Sequence, residues 1–256
     1  MKHILITGAS SGIGESLANA YATPTTRLFL SGRDAERLKL VADACRSKGA
    51  IVEEHTINVC DRYAMAQWIH TIADTHGLDL VIANAGISGG FDGQSLDRIT
   101  DDYKIFDTNL NGVLNTIYPA LPSMITRQSG HIVIISSLAS FIPMPSAPAY
   151  AASKAAVRFY GEALATKLKP HNIAVTVICP GFIKSRMTDK NSFPMPFLME
   201  TDTATRYIIR KIGQKTHRVI FPWPMSVMIK TLSILPAALT HAIFAWLPDK
   251  KSLPKK

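Results

Sequence analysis

The chain has 256 residues, 47% hydrophobic and 18% charged, with 28 Lys and Arg against 19 Asp and Glu for a formal net charge of +9. It is long enough for one large domain with a substantial core, and too apolar to be a basic disordered tail. The charge is uneven: residues 1–180 hold 15 basic and 15 acidic side chains and residues 181–256 hold 13 and 4, so the second part carries the whole excess. Charge alone does not choose between nucleic acid, an anionic membrane surface and acidic substrates as its partner.

Short β-branched runs alternate with longer stretches of helical pattern, as in βαβ units around a parallel sheet. Strands are expected near 3–7, 27–31, 51–57, 79–83, 131–136, 173–179 and 218–221, and helices near 12–22, 34–48, 61–76, 97–126, 150–170 and 202–212. The strands are apolar at successive positions, which suits a sheet covered by helices on both faces. No repeat or low-complexity linker divides the chain. The expectation is one α/β domain over 1–218 followed by an apolar, basic-tailed extension over 219–256.

Cys45, Cys60 and Cys179 are too few and too scattered for a disulfide framework or a Cys-rich metal site, so no metal is expected and a reducing compartment is. Met1-Lys2-His3 leads straight into Ile4-Leu5-Ile6, with no room for a secretory leader, and the expected location is cytoplasmic.

After the first strand comes Thr7-Gly8-Ala9-Ser10-Ser11-Gly12-Ile13-Gly14, whose glycines permit a tight turn and close approach of backbone to a pyrophosphate at the next helix N-terminus. A plain strand-to-helix turn is the competing reading. The second strand ends Phe29-Leu30-Ser31-Gly32-Arg33. An acidic residue there would bind the ribose 2′-hydroxyl of NAD. Arg33 instead pairs with a 2′-phosphate, with Ser31 beside it, so NADP(H) is the expected cofactor unless Arg33 is merely a solvated helix-start residue.

These residues, with Asp61, Asn84-Ala85-Gly86, Asn109, Ser137, Tyr150-x-x-x-Lys154 and Pro180-Gly181, resemble the short-chain dehydrogenase/reductase family over about residues 1–190. The resemblance implies a Rossmann-type doubly wound parallel sheet. Tyr207 and Lys211 repeat the Tyr-x-x-x-Lys spacing without its surroundings, so context singles out Tyr150. Tyr150 and Lys154 share a helix face, where the ammonium favours phenolate. By the resemblance Tyr150 exchanges a proton with the carbonyl oxygen while the cofactor carries hydride, and Lys154 also grips the nicotinamide ribose. Ser137, with Ser136 its neighbouring candidate, hydrogen-bonds the carbonyl oxygen. Asn109, with Asn111 as decoy, holds a helix bend and a water linking Lys154 to solvent; a purely structural amide is the other reading. Asp61 approaches the adenine, and Asn84, unless only structural, supports the sheet beside the adenine ribose. The Ile183 backbone meets the nicotinamide carboxamide. Ser185 replaces a familiar Thr and keeps its hydroxyl for phosphate.

The four-residue spacing of Tyr150 and Lys154 departs from enoyl reductases of the superfamily and points to a ketone or aldehyde interconverted with an alcohol. The loops Leu138–Met144 and Phe193–Met199 are apolar and Met-rich, which suits a hydrophobic substrate, although such residues are also ordinary core. Val219 to Leu247 contains one charged side chain, Lys230, has Trp223 and Trp246 near its two ends, and is followed by Lys250, Lys251, Lys255 and Lys256. Lys230, Pro236 and His241 argue against a spanning helix; an anchor on an anionic membrane surface, a cover for the pocket and a subunit contact remain open. The family resemblance implies a homodimer or homotetramer paired through the helices at 97–126 and 150–170. No nucleic-acid motif accompanies the charge. The alternative function is a catalytically silent NADP-binding regulatory or membrane-associated scaffold, against which the full Asn109, Ser137, Tyr150 and Lys154 set argues.

Overall fold

A computed structural model of the chain describes residues 1–89, 99–189, 191 and 193–244. Seven parallel strands form one sheet in the order β3-β2-β1-β4-β5-β6-β7: β1 (Lys2–Thr7), β2 (Thr26–Gly32), β3 (Ile51–Thr56), β4 (Leu80–Ala83), β5 (Gly130–Ile135), β6 (Ile173–Pro180) and β7 (Arg218–Phe221). Period-two alternation sends neighbouring residues to opposite faces. Ile4, Ile6, Leu28 and Leu30 pack with Leu17, Leu38 and Ile208 from α1 (Gly12–Tyr21), α2 (Ala35–Ser47) and α8 (Thr201–Gly213). On the other face Leu5, Phe29 and Val81 pack with Ile69, Val113 and Val157 from α3 (Arg62–Thr75), α5 (Gly112–Ile117) and α7 (Pro148–Leu168). This is the doubly wound Rossmann-type architecture. The strand order reverses between β1 and β4, which opens a crevice at their C-terminal ends.

The continuous helix expected over 97–126 is broken. It consists of α4 (Ile99–Phe106), a π turn at Asp107–Asn111, α5, a 3-10 turn at Tyr118–Ala120 and α6 (Leu121–Arg127), with the expected start at 97 outside the described residues. Pro119 and Pro122 lack the N–H that a regular ladder needs, and they fall in the 3-10 turn and the first turn of α6.

The boundary drawn between 218 and 219 cuts through β7, whose Val219 and Phe221 are buried in the core. What lies beyond the sheet begins at Pro222 and forms two further helices, α9 (Trp223–Ser233) and α10 (Ala237–Phe244), neither expected from the sequence. Trp246 and the terminal lysines lie outside the described residues.

Candidate active site

The turns after β1 and β4 are locked together. Gly8 has φ +66°, and a Cβ there would stand 2.8 Å from the Ala85 Cα, so only a glycine lets the two backbones touch. The Asn84 amide donates to the carbonyls of Thr7 (2.9 Å) and Gly8 (3.2 Å), while the Thr7 hydroxyl accepts from the N–H groups of Asn84 and Ala85. Asn84 therefore clamps the crevice across the switch point.

A Cβ on Gly14 would lie 2.3 Å from the Gly8 carbonyl oxygen, so α1 starts directly against the turn. Ser11 precedes α1 in extended backbone and its side chain makes no capping bond, which leaves the first N–H groups of the helix, from Gly12 and Ile13 onward, to other acceptors. Ser10 packs on Gly32, joining this turn to the end of β2. There Ser31 is wholly buried, whereas Arg33 is exposed and has no ion pair among the described residues.

Asp61 stands at the start of α3. Its carboxylate caps α3, accepting from the Ala64 N–H at 3.0 Å. An Asp immediately before a helical pattern is a capping signal readable from the sequence. Asn58, not singled out from the sequence, follows Ile57, whose N–H donates to the Gly32 carbonyl at 3.1 Å.

Tyr150 and Lys154 stand one turn apart near the start of α7, with the Lys154 Nζ 5.9 Å from the Tyr150 ring centroid. Lys154 is only 4% exposed, and its Nζ donates to the Ile135 carbonyl at 2.9 Å. Burial pulls its pKa down to about 8. Burial pushes the Tyr150 phenol up, and a hydrogen bond with the Ser137 hydroxyl pulls the other way. The two serines at the end of β5 are thus separated by partner: Ser137 meets Tyr150, while Ser136 donates to the Lys154 carbonyl at 2.8 Å.

Asn109 lies in the π turn. Its amide holds Ile87 at both ends, accepting from its N–H at 2.8 Å and donating to its carbonyl at 2.9 Å, and it also donates to the Ser153 hydroxyl at 3.0 Å. Ser153 in turn donates to the Tyr150 carbonyl at 2.8 Å. Ser153 was not singled out from the sequence, and its place one helical turn from Tyr150 is the signal that marks it. Gly86 lies between Asn109 and Lys154: a Cβ would come within 3.2 Å of both Asn109 Oδ1 and Lys154 Nζ. Asn111, the decoy, donates to the Asp107 carboxylate of its own turn.

After β6, Gly181 donates to the Phe221 carbonyl at 2.8 Å, which fixes Pro180-Gly181 against β7. Met199 accepts and donates on either side of Ile183, and the Ile183 carbonyl accepts from Thr188, leaving the Ile183 N–H with no partner among the described residues. Ser185 faces the phosphate turn, its Cβ 3.3 Å from where a Gly12 Cβ would be. Thr188, also missed from the sequence, ties this turn by bonding the backbone of Ser185. The substrate side is walled by Leu138, Phe141, Ile142 and Phe182, packed against Met225 and Ile229 of α9. The described residues hold no His, Cys, Asp or Glu group suited to a metal ion.

Comparison with known proteins agrees with this geometry. The profile of the short chain dehydrogenase family matches residues 2–194. An uncharacterized oxidoreductase of Myxococcus xanthus is 39% identical over 93% of this chain and 94% of its own length. The 11-beta-hydroxysteroid dehydrogenase-like 2 protein of Arabidopsis thaliana is 34% identical over 86% of this chain and 73% of its own. Among solved structures, a short-chain dehydrogenase from Sphingobium yanoikuyae in complex with NADPH superposes with a TM-score of 0.80 at 24% identity over 97% of both chains, a likeness of fold.

Proposed function

Since the chain belongs to the short-chain dehydrogenase family and is an oxidoreductase, we propose that it uses NADP(H) to interconvert a ketone or aldehyde and an alcohol on a hydrophobic substrate. The observation that carries this reading is the Ser137–Tyr150 hydrogen bond beside the buried Lys154.

The crevice fits a dinucleotide. The contacts at Gly8 and Gly14 leave bare backbone around the turn, the start of α1 has uncapped N–H groups, and the Ile183 N–H is unengaged among the described residues. Gly8, Ser10, Ser11, Gly12, Ile13, Gly14 and Ser185 would hold the pyrophosphate, and Arg33 the 2′-phosphate. Asn84, Ala85 and Gly86 would line the riboses, with Tyr150 and Lys154 at the nicotinamide ribose and Pro180, Gly181 and Ile183 at the carboxamide. Asp61 keeps a place near the adenine only through its backbone, because its carboxylate caps α3. When bound, the cofactor supplies or accepts hydride at the carbonyl carbon.

In reduction, Ser137 and Tyr150 donate hydrogen bonds to the carbonyl oxygen, where negative charge develops. Tyr150 then passes its phenolic proton to that oxygen. The Lys154 ammonium stabilises the phenolate left behind, offsetting the burial that otherwise raises the phenol. Asn109 and Ser153 act indirectly by fixing the turn of α7 that carries Tyr150. The apolar wall built by Leu138, Phe141, Ile142, Phe182 and α9 supports a hydrophobic substrate, as does the name of the Arabidopsis relative. Exposed Tyr118 and Phe159, on the 3-10 turn and α7, support pairing of subunits through these helices into a homodimer or homotetramer.

The test is Tyr150→Phe. NADPH oxidation against a panel of ketones and aldehydes is expected to fall about 10²–10⁴-fold, with NADPH binding followed by fluorescence unchanged. Turnover retained in the variant removes the mechanism. A wild type that binds NADPH and reduces no carbonyl compound shifts the reading to a silent cofactor-binding scaffold.

A further inference from the structure

The helices beyond the sheet have two faces with different surroundings. On α9, Met225 and Ile229 turn inward against Leu138, Phe141, Ile142 and Phe182, beside Ser137 and Gly181. A Cβ on Gly181 would lie 2.8 Å from the Met225 sulfur, so α9 is pressed directly onto the reaction cleft. On the other side Trp223, Val227 and Ile234, at helical spacing, are 77%, 56% and 80% exposed, with Met228 at 42% beside them. The next helix continues the surface with Leu239 and Ile243, 50% and 37% exposed. From 222 to 244 the only Asp, Glu, Lys or Arg is Lys230, itself exposed. Single exposed apolar residues need no explanation, but six on consecutive helices with one charge among them mark a contact surface.

We infer that this face of α9 and α10 seats the enzyme on an anionic lipid bilayer surface, so that apolar substrate passes from the lipid to the cleft walled by the inner face of α9. The inference rests, for the substrate, on the reading of the chain as a reductase of hydrophobic carbonyl compounds. The occupant follows from shape and charge. No helix among the described residues is long and apolar enough to cross a membrane, and Pro236 separates α9 from α10, so the segment lies along a surface. Residues 181–256 carry 13 basic and 4 acidic side chains, among them Lys250, Lys251, Lys255, Lys256 and Asp249 in the sequence after α10. The one charge on the exposed face is the cation Lys230, with no Asp or Glu from 222 to 244; across a twofold contact it would gain no acidic partner from that face, whereas acidic lipid headgroups supply one. The tryptophan at the start of α9 suits headgroup depth. Exposed Met187, Phe197 and Leu198, in the loop after β6, add apolar surface elsewhere.

The experiment floats the full chain with phosphatidylglycerol vesicles and with phosphatidylcholine vesicles, for the wild type and for Trp223→Ser/Ile234→Ser. The wild type is expected to float with phosphatidylglycerol at low salt and about tenfold or more weakly with phosphatidylcholine or at high salt. The double variant is expected to lose about tenfold or more of its vesicle binding. Its melting temperature and its NADPH-dependent turnover of water-soluble pyridine-3-carboxaldehyde should be unchanged. Wild type that ignores phosphatidylglycerol vesicles, or a variant that binds them as the wild type does, overturns the inference. So does a variant whose only change is a smaller oligomer by light scattering, which makes this face a contact between copies. Vesicle binding by a protein that reduces no carbonyl compound supports docking and overturns only the reading of the reaction.

Discussion

Lys154 is a cation kept where folding alone would not put one. With its pKa drawn from 10.5 to about 8 by burial, the ammonium costs the folded state about 3 kcal/mol at neutral pH. The cost is full below pH 8 and fades as pH rises towards 10.5, because the neutral amine is what the folded site prefers. Lys154→Met is therefore expected to raise stability by about 1–3 kcal/mol while abolishing turnover, a gain that denaturant unfolding at pH 7 and at pH 10 should show shrinking with pH. By the same titration the proposed carbonyl reduction is expected to fall as pH rises through about 8, where Lys154 loses its charge. Arg33 stands exposed at the end of β2 with no ion pair among the described residues. Arg33→Asp should move the preference between NADPH and NADH by about tenfold or more towards NADH, since a favourable pairing with a 2′-phosphate becomes a repulsion. Steady-state kinetics with both cofactors measures it.

At the scale of elements, α7 carries more than its Tyr and Lys. One turn beyond Lys154, Arg158 is buried, and its guanidinium carbon lies 4.2 Å from the centroid of Phe141 and 4.4 Å from that of Phe159. It donates to the Ser140 carbonyl at 3.2 Å and pairs with Glu162, which also holds Arg218 of β7 at 2.8 Å. Arg158 thus ties the turn that presents Ser137 to the helix that presents Tyr150 and to the last strand. Arg158→Met should cost about 1–3 kcal/mol of stability through the unpaired Ser140 carbonyl and the loss of one of the two arginines on Glu162. It should also lower kcat while NADPH affinity holds; Arg158→Lys, without the planar fork, should not restore it. Thermal unfolding and the split between kcat and cofactor binding check both. The broken α4–α6 segment shows a limit of pattern reading. Pro119 and Pro122 announce irregularity, but the π turn that sets Asn109 against Ile87 and Ser153 depends on partners 22 and 44 residues away.

Across the whole molecule, the chemistry gathers at the C-terminal edge of the sheet and the opposite edge serves stability. There His131 of β5, buried against the Thr176 hydroxyl of β6 at 2.9 Å, has its pKa pushed from 6.5 down to about 4 by burial. Because the folded value is the lower one, its contribution is complete above pH 6.5 and is lost as pH falls through about 4, to an extent of about 3 kcal/mol. Melting temperature should decline over that interval, and His131→Gln should flatten the decline. The sequence by itself determined what is local: the alternation of strands and helices, the glycine turn after β1, Arg33 at the end of β2, and the spacings that join Ser137, Tyr150 and Lys154. These were legible because period, turn chemistry and helix-face geometry act over a few residues. Tertiary structure alone decided that Asn109 holds Ile87 and Ser153, that Ser136 donates to the Lys154 carbonyl, and that the apolar stretch after β7 forms two helices. It alone set the inner face of α9 on the cleft and left the outer face open. The physical reason is that a hydrogen-bond partner and a buried face depend on residues distant in the chain, and hydrophobic residues read alike in sequence whether they meet core, cleft or surroundings.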